Sequence, residues 1–397
     1  MLRLADIEAS DLSPMMQQYV REKHKRPDCI LLFRLGDFYE TFFDDAVLVS
    51  QELELTLTSR DCGLEERAPM AGVPYHAADN YIEKLIDKGY KIAICEQMED
   101  PALAKGLVKR EVVQVITPGT TTASKALEDK SNHYLASVFQ LGTTFGLAAL
   151  DLSTGDFSAT QLISGLSVLH LYDEIYRLGP AEILCNPAFR DSALAQKLVR
   201  ENFFLTSIDD HCFDPKAYTD FYEESPLNQD LLRMAASGLL YYVEDTQKQL
   251  PSHIKPLEIY QIDQFMKLGA GARTNLELSR SLRTLKKKAS LLWVLDQCKT
   301  AMGSRMLKRW LEQPLLHPAE INYRLDAVED LKESFILRQE LRDMLQGMND
   351  MERLLSKLSM GHMNARELDA LCRSLEKIPP VKENLQRAKS PVVRKLG

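Results

Sequence analysis

A chain of 397 residues with 45% hydrophobic and 27% charged residues is built to fold, in two to four domains of ordinary size, and is excluded from the disordered class. Its formal charge of -8 argues against a general phosphate-binding surface, because Lys and Arg contacts to phosphates supply most non-specific nucleic-acid affinity. No apolar run reaches the roughly 20 residues of a membrane span. The N-terminal MLRLADIEASDLSPMMQQ has no apolar block and does not read as a secretory signal. Seven scattered cysteines, odd in number and without a CxxC pair, point away from a disulfide framework or structural zinc and toward reduced thiols in a cytoplasmic protein.

In chain order, "CILLFR" at 29–34 reads as a compact apolar strand, followed by the turn residues Leu35-Gly36-Asp37. If the next segment is also a strand, Phe38 and Glu40 project to one face and Tyr39 to the other. The simplest reading puts Phe38 and Tyr39 in a core and leaves Glu40 solvated. The functional alternative is an aromatic wedge, since a Phe stacked on a base contributes roughly 1 to 3 kcal/mol. A carboxylate beside it accepts a hydrogen bond from an exocyclic amine. "RAPMAGVPYHA", 67–77, reads as a rigid loop, freed at Gly72 and restricted at Pro69 and Pro74, with Met70 as an apolar tip and His76 as a polar contact. Ile82, Leu85 and Ile86 predict a helix that stops at Gly89, followed by the strand "YKIAICEQ". "REVVQVITPGT" predicts another, closed by Pro118-Gly119. Residues 1–122 are therefore expected to form a small mixed α/β domain. Its first 120 residues hold 14 Lys/Arg against 21 Asp/Glu, so any nucleic-acid contact must rest on local patches and stacking.

The polar stretch 123–133 predicts a linker. From 131 to 256, "YLASVFQLGTTFGLAALDLSTGDFSATQL" predicts an antiparallel meander, then a helix ("LSVLHLYDEIYRL"), a short strand ("AEILCN") and further helices, a second α/β domain. Asp151 ends an apolar strand, as a metal-binding carboxylate does in ribonuclease H-type nucleases. Two-metal chemistry needs further converging acids, and Asp156, Asp173 and Glu174 have no diagnostic spacing. A turn-stabilising Asp151 is the simpler reading. From 263 to 397 strand signals vanish. Leu291, Leu295, Cys298, Met302, Met306 and Trp310 predict one helical stripe, His317-Pro318 opens a helix striped by Ile321, Leu325, Val328 and Leu331, and Asn364 with Glu367 predicts a capping box. Long helices suggest a bundle or lever, and the end at Gly397, soon after the fresh amphipathic start "VKENLQ", suggests a truncated domain. Arg273, Arg280, Arg283, Lys286, Lys287 and Lys288 form a basic cluster, either a solvated face or a surface for phosphates or an acidic partner. GxxxxGK[ST], GxSxG and HExxH are absent.

Together these segments resemble the MutS family of DNA mismatch-recognition proteins. "GDFYETFFDDA" is similar to its Phe-X-Glu mismatch-reading motif; "PMAGVPYHA", "AICEQMEDP" and "VVQVITPGT" to the rest of its N-terminal domain; "LDLSTGDF" to its ribonuclease H-like connector; and "NLELSRSLR", "SLLWVLDQCKTAMGSRMLKRWLEQPL" and "RLDAVEDL" to its helical core. The resemblance implies two α/β domains followed by a partial all-α core and lever domain. It implies that Phe38 wedges beside a mispaired or unpaired base from the minor groove of kinked double-stranded DNA and that Glu40 hydrogen-bonds that base. Leu35, Met70 and Pro74 would contact the minor groove. The acidic balance then makes sense, because a reader of deformability has no need of strong phosphate attraction. The resemblance implies no cofactor or catalytic residue in this chain; ATP and Mg belong to an ATPase domain outside it, as do the clamp and most of the homodimer contact. MutL would be met through the connector. One departure is Gly269 and Ala272, where the family usually has Asp and Thr, and altered local geometry is expected there. Two alternatives are a metal-dependent nuclease on the second domain and a helical scaffold without DNA contact.

Overall fold

The computed structural model describes residues 2–4, 7–99, 106–122, 130–221 and 230–397. The chain forms two compact units, Met1–Ala126 with Tyr241–Leu250, and Leu127–Leu240 with Pro251–Gly397. Residues 123–129 of the predicted linker, and Asp100-Pro101 of "AICEQMEDP", lie outside the described residues.

The first unit contains α1 (Pro14–Lys25), β1 (Cys29–Leu35), β2 (Phe38–Phe42), α2 (Phe43–Leu53), β3 (Thr58–Arg60), β4 (Ala68–Pro74), α3 (Ala78–Asp87), β5 (Lys91–Gln97) and β6 (Arg110–Ile116). The strands form one sheet in the order β3-β4-β2-β1-β5-β6, antiparallel except for the β1–β5 pair. Cys29 to Phe33 are buried without alternation because both faces of β1 are covered. On one face Met16 and Tyr19 of α1 pack against Leu31, Phe33 and Phe42; on the other, Val49 of α2 and Leu85 of α3 pack against Ile30 and Leu32. The Tyr19 ring meets Phe33 and Phe42 edge-on at 5.5 and 5.0 Å. Sequence reasoning missed α2. Asp44 and Asp45 occupy its first turn, where negative charge suits the helix dipole, and Asp45 accepts hydrogen bonds from the Leu31 N–H (3.0 Å) and Lys23 Nζ (2.9 Å). The predicted loop at 67–77 is instead largely strand β4, paired with β2 on one side and β3 on the other.

In the second unit β7 (Tyr134–Leu141), β8 (Thr144–Asp151) and β9 (Asp156–Leu162) form the expected meander. They are followed by α4 (Ser167–Leu178), β10 (Glu182–Cys185), α5 (Pro187–Arg190), α6 (Ala193–Arg200), β11 (Leu205–Ser207), α7 (Asp230–Gln247), of which the residues up to Leu240 belong to this unit, and β12 (Glu258–Ile259). The sheet order is β11-β10-β7-β8-β9-β12, with β10, β11 and β12 added in parallel. Leu171 and Ile175 of α4 and Leu198 of α6 cover one face, packing against Phe145 and Leu147. The backbone of α7 comes against Gly146, whose side faces away from that cluster.

The helical part holds α8 (Ala270–Asn275), α9 (Leu291–Leu295), α10 (Ala301–Glu312), α11 (Pro318–Glu333), α12 (Phe335–Leu345), α13 (Met351–Ser359), α14 (Ala365–Glu376), α15 (Ile378–Leu385) and α16 (Pro391–Arg394). None is longer than the 16 residues of α11. The capping box at Asn364 and Glu367 is present. The single stripe predicted over 291–310 is broken between α9 and α10. There Thr300 caps α10 by accepting from the Gly303 N–H, while Asp296 accepts from Lys287, from Ser304 Oγ (2.9 Å) and from the Cys298 N–H (3.2 Å). Leu291, Leu295, Met306 and Trp310 stay exposed, as do Leu325 and Val328 of α11. Burial pushes the Asp296 carboxyl upward, but the Lys287 ammonium and the Ser304 hydroxyl outweigh it, and its pKa falls to about 2. Only 1% of that side chain is exposed. The depressed folded value means its stabilisation is complete above the unfolded value and is lost as pH falls toward 2. We expect wild type to lose about 2 kcal/mol more than Asp296→Asn between about pH 5 and about pH 2, read from urea unfolding at each pH. Equal acid sensitivity would contradict this.

Gly269, one of the two positions singled out in the sequence, stands at the start of α8. Gly269 is the N-cap of α8 and brings no side-chain cap, but Asp173 of α4 accepts the Ala270 N–H at 2.9 Å. A Cβ on Gly269 would lie 3.5 Å from Asp173 Oδ1, so an aspartate there would face a like charge. Among the described residues, no helix is long and apolar enough to cross a membrane.

Candidate nucleic-acid interface

Strands β1 and β2 are joined by Gly36-Asp37, with Leu35 opposite Phe38. Gly36 takes φ 59°, at the first turn position, where a two-residue hairpin of the II′ kind favours glycine. The tight turn makes Phe38 the first residue on the far side, at the rim of the sheet. Its ring is 45% exposed, whereas Tyr39 is buried. The reading that placed both aromatics in a core is therefore corrected: the pleat sends them to opposite faces, and the helix covering Phe33 and Phe42 does not cover the rim.

Register assembles the rest. Phe38 lies opposite Pro74, Glu40 opposite Gly72 and Phe42 opposite Met70, so these six positions share one face. Along β2, exposure on this face falls from Phe38 at the rim through Glu40 to buried Phe42. Phe38 is exposed, Leu35 and Pro74 are half-buried beside it, and Glu40 is the next residue in. Met70 is not an apolar tip; its half-buried side chain packs against the core of Leu12, Met16, Phe33 and Phe42. Phe38, Glu40, Leu35 and Pro74 are thus brought together at one end of the sheet, and Met70 supports them from below. His76 follows β4 in a short 3-10 turn with its ring against Tyr75.

The opposite face holds the hairpin rigid. The Arg34 guanidinium lies 3.7 Å above the Tyr75 ring and 5.5 Å from that of Tyr39, and Arg34 Nε donates to the Gly36 carbonyl at 2.5 Å. The Tyr39 hydroxyl donates to Glu96, and burial together with that carboxylate pushes the phenol well above its ordinary pKa. Residue 39 is therefore anchored between the two reading candidates on either side of it.

Sequence reasoning missed two cations on the face that carries Phe38 and Glu40. Arg60, from β3, lies 2.5 Å from Glu40. Buried Arg110 sits 5.2 Å from the Phe33 ring and donates to the carbonyls of Arg34 (2.7 Å) and Val108 (2.9 Å) and to Gln18 (3.2 Å). Burial pulls its guanidinium below the ordinary arginine value, and among the described residues no carboxylate pairs with it. The local balance behind Phe38 is thus two arginines to one glutamate, inside a domain that is acidic as a whole. The basic cluster at 273–288 is more dispersed. Arg273 is spent on the carbonyls of Leu268 and Glu312 and Lys287 on Asp296, while Arg280, Arg283, Lys286 and Lys288 are exposed on a non-helical stretch.

Asp151 of the second unit is fully buried and its oxygens are spent on the turn. Oδ1 accepts from the Ser153 N–H (3.0 Å) and hydroxyl (2.6 Å), and Oδ2 from Asn132 (2.9 Å) and the His133 N–H (3.1 Å). Among the described residues no three His, Cys, Asp or Glu side chains are grouped to hold a metal ion.

Three family models match the chain in order: MutS domain I over residues 13–125, MutS domain II over 133–255 and MutS domain III over 271–396. Among curated proteins it is 48% identical over 395 residues to the DNA mismatch repair protein MutS of Ruminiclostridium cellulolyticum, covering 97% of this chain and 45% of that protein. Its counterparts from Acetivibrio thermocellus and Geobacillus sp. are 45% and 47% identical, over 96% and 94% of this chain and 45% and 43% of theirs. The chain therefore spans less than half the length of these relatives.

Proposed function

The chain belongs to the MutS family, and on that premise we propose that its first domain reads mispaired or unpaired bases in duplex DNA, the recognition step of mismatch repair in the cytoplasm. Phe38 is the wedge, entering from the minor groove and kinking the duplex, and Glu40 is the hydrogen-bonding reader. The observation that carries this is the exposed Phe38 ring at the rim of a rigid hairpin, with Glu40 on the same face one step inward. An exposed aromatic of this kind contributes nothing to a core; it gains from a surface that can accept it. A mispaired step is that surface, because unstacking there costs less than in paired duplex. Leu35 and Pro74 flank the wedge at the groove, and Met70 backs it.

The longer relatives leave room for the rest of the cycle. We place the clamp, the ATPase with its Mg, and most of the homodimer contact in sequence outside this chain, and the MutL contact on the connector within it. The exposed apolar faces of α9 to α11 suit cover by that additional sequence. The 397 residues contain no GxxxxGK[ST] loop, which puts nucleotide binding with that additional sequence. The nuclease alternative is disfavoured by Asp151, whose lone pairs are already occupied.

The test is fluorescence anisotropy at low salt with two labelled duplexes, one fully paired and one carrying a single unpaired T. Tighter binding of the defective duplex, by roughly fivefold or more, is expected. Equal affinities would contradict the reading, and magnesium-dependent cleavage lost in Asp151→Ala would favour the nuclease instead.

A further inference from the structure

The Glu40 carboxylate does not stand free beside Phe38. Its Oε2 lies 2.5 Å from Nη1 of Arg60, and its side chain is 14% exposed against 39% for the arginine. The pairing that delivers Arg60 is remote in sequence: β3 adds to the edge of β4 with Arg60 opposite Ala68, which puts the guanidinium on the reading face. Gly72 lies opposite Glu40 in β4, and a Cβ there would make only ordinary contact with Glu40 Cγ, at 3.4 Å.

An acid offered to DNA has an electrostatic problem. A bare carboxylate within several ångströms of two phosphates is repelled by both, and in a partly dry groove this weakens binding roughly tenfold. A cation in contact with the carboxylate cancels that repulsion and fixes the direction in which its free oxygen points. Resting on the reading above, we propose that Arg60 is the positioning residue for Glu40: it neutralises the reading acid toward the duplex and holds it along the sheet surface beside Phe38. The ion pair is partly exposed and contributes little to folding, as surface pairs do. Its effect belongs to recognition.

A rival role, in which Arg60 simply grips a phosphate, predicts a different pattern, so a double-mutant cycle separates the two. The chain, Arg60→Met, Glu40→Gln and the double variant are titrated at low salt with the paired and the unpaired-T duplexes, together with Arg60→Lys and Phe38→Ala. Circular dichroism checks each fold, and Arg60→Gln replaces Arg60→Met should the latter not fold. Arg60→Met is expected to weaken binding of the unpaired-T duplex roughly tenfold. In the E40Q background the same change should cost less than about twofold, and Arg60→Lys should retain most of the affinity. Equal losses in both backgrounds, or no loss in either, overturn the proposal. If Phe38→Ala abolishes the preference while the cycle is additive, only the role of Arg60 fails. If Phe38→Ala changes nothing, or the parent chain binds neither duplex, the reading itself fails for this chain and the proposal falls with it.

Discussion

Phe38→Ala will bring the affinities of this chain for paired and unpaired-T duplexes to within about twofold of each other, while leaving binding of paired duplex nearly unchanged. A stacked or intercalated aromatic is worth roughly 1 to 3 kcal/mol, a factor of about 5 to 150, and that energy is collected only where a base step opens. The substitution is clean because the ring is exposed at the rim and packs in neither core of the first unit. Urea unfolding should move by less than about 0.5 kcal/mol. A large loss of stability would show that the ring packs in a core after all. An unchanged preference would remove the wedge from the account.

Gly146→Ala will destabilise the second unit by about 3 kcal/mol or more. In β8, Gly146 lies opposite Phe139 on β7 and Gln161 on β9, so the sheet cannot yield on either side. A Cβ there would sit 1.8 Å from the Leu231 carbonyl oxygen and 2.4 Å from its carbon, both backbone atoms of α7. A flexible side chain can swing away from a new methyl, but a helix backbone has to move bodily, taking buried Leu232, Ala235 and Leu239 with it. Gly165→Ala is the control, since nothing lies within 4 Å of its added Cβ. It should change the urea midpoint little. Equal effects at the two glycines would show that α7 does not press on β8.

What was legible in the sequence was what depends on neighbours along the chain. The strand at 29–34, the helix closing at Gly89 and the capping box at Asn364 and Glu367 each announce themselves within a dozen residues, and the three-stranded meander does so through turns between neighbouring strands. So did the opposite facing of Phe38 and Tyr39, which follows from the pleat alone. The exposure of Phe38 was not legible, because it depends on where α1 stops covering the sheet. The two prolines of 67–77 read as a loop, yet they fit a strand: Pro74 ends β4, and Pro69 lies opposite Ser59 on the short edge strand β3. The stripe from Leu291 to Trp310 kept its period across Asp296, and only the buried contacts of that carboxylate show why the helix breaks. Arg60, Arg110 and the Asp173 cap on α8 were out of reach for a common reason. Each acts on a partner at least 20 residues away in sequence, and such pairing is set by sheet register or helix packing rather than by local pattern.

The central claim is that Phe38 enters the duplex at a mispaired step, and a fluorescent base reports that event directly. We would place 2-aminopurine next to a single unpaired T and follow its emission while the chain is titrated in. Binding that raises the emission, with Phe38→Ala binding at matched saturation and raising it far less, is the predicted result, because an inserted ring unstacks the neighbouring base. Saturating binding with no change in emission, or the same rise with the variant, would contradict it.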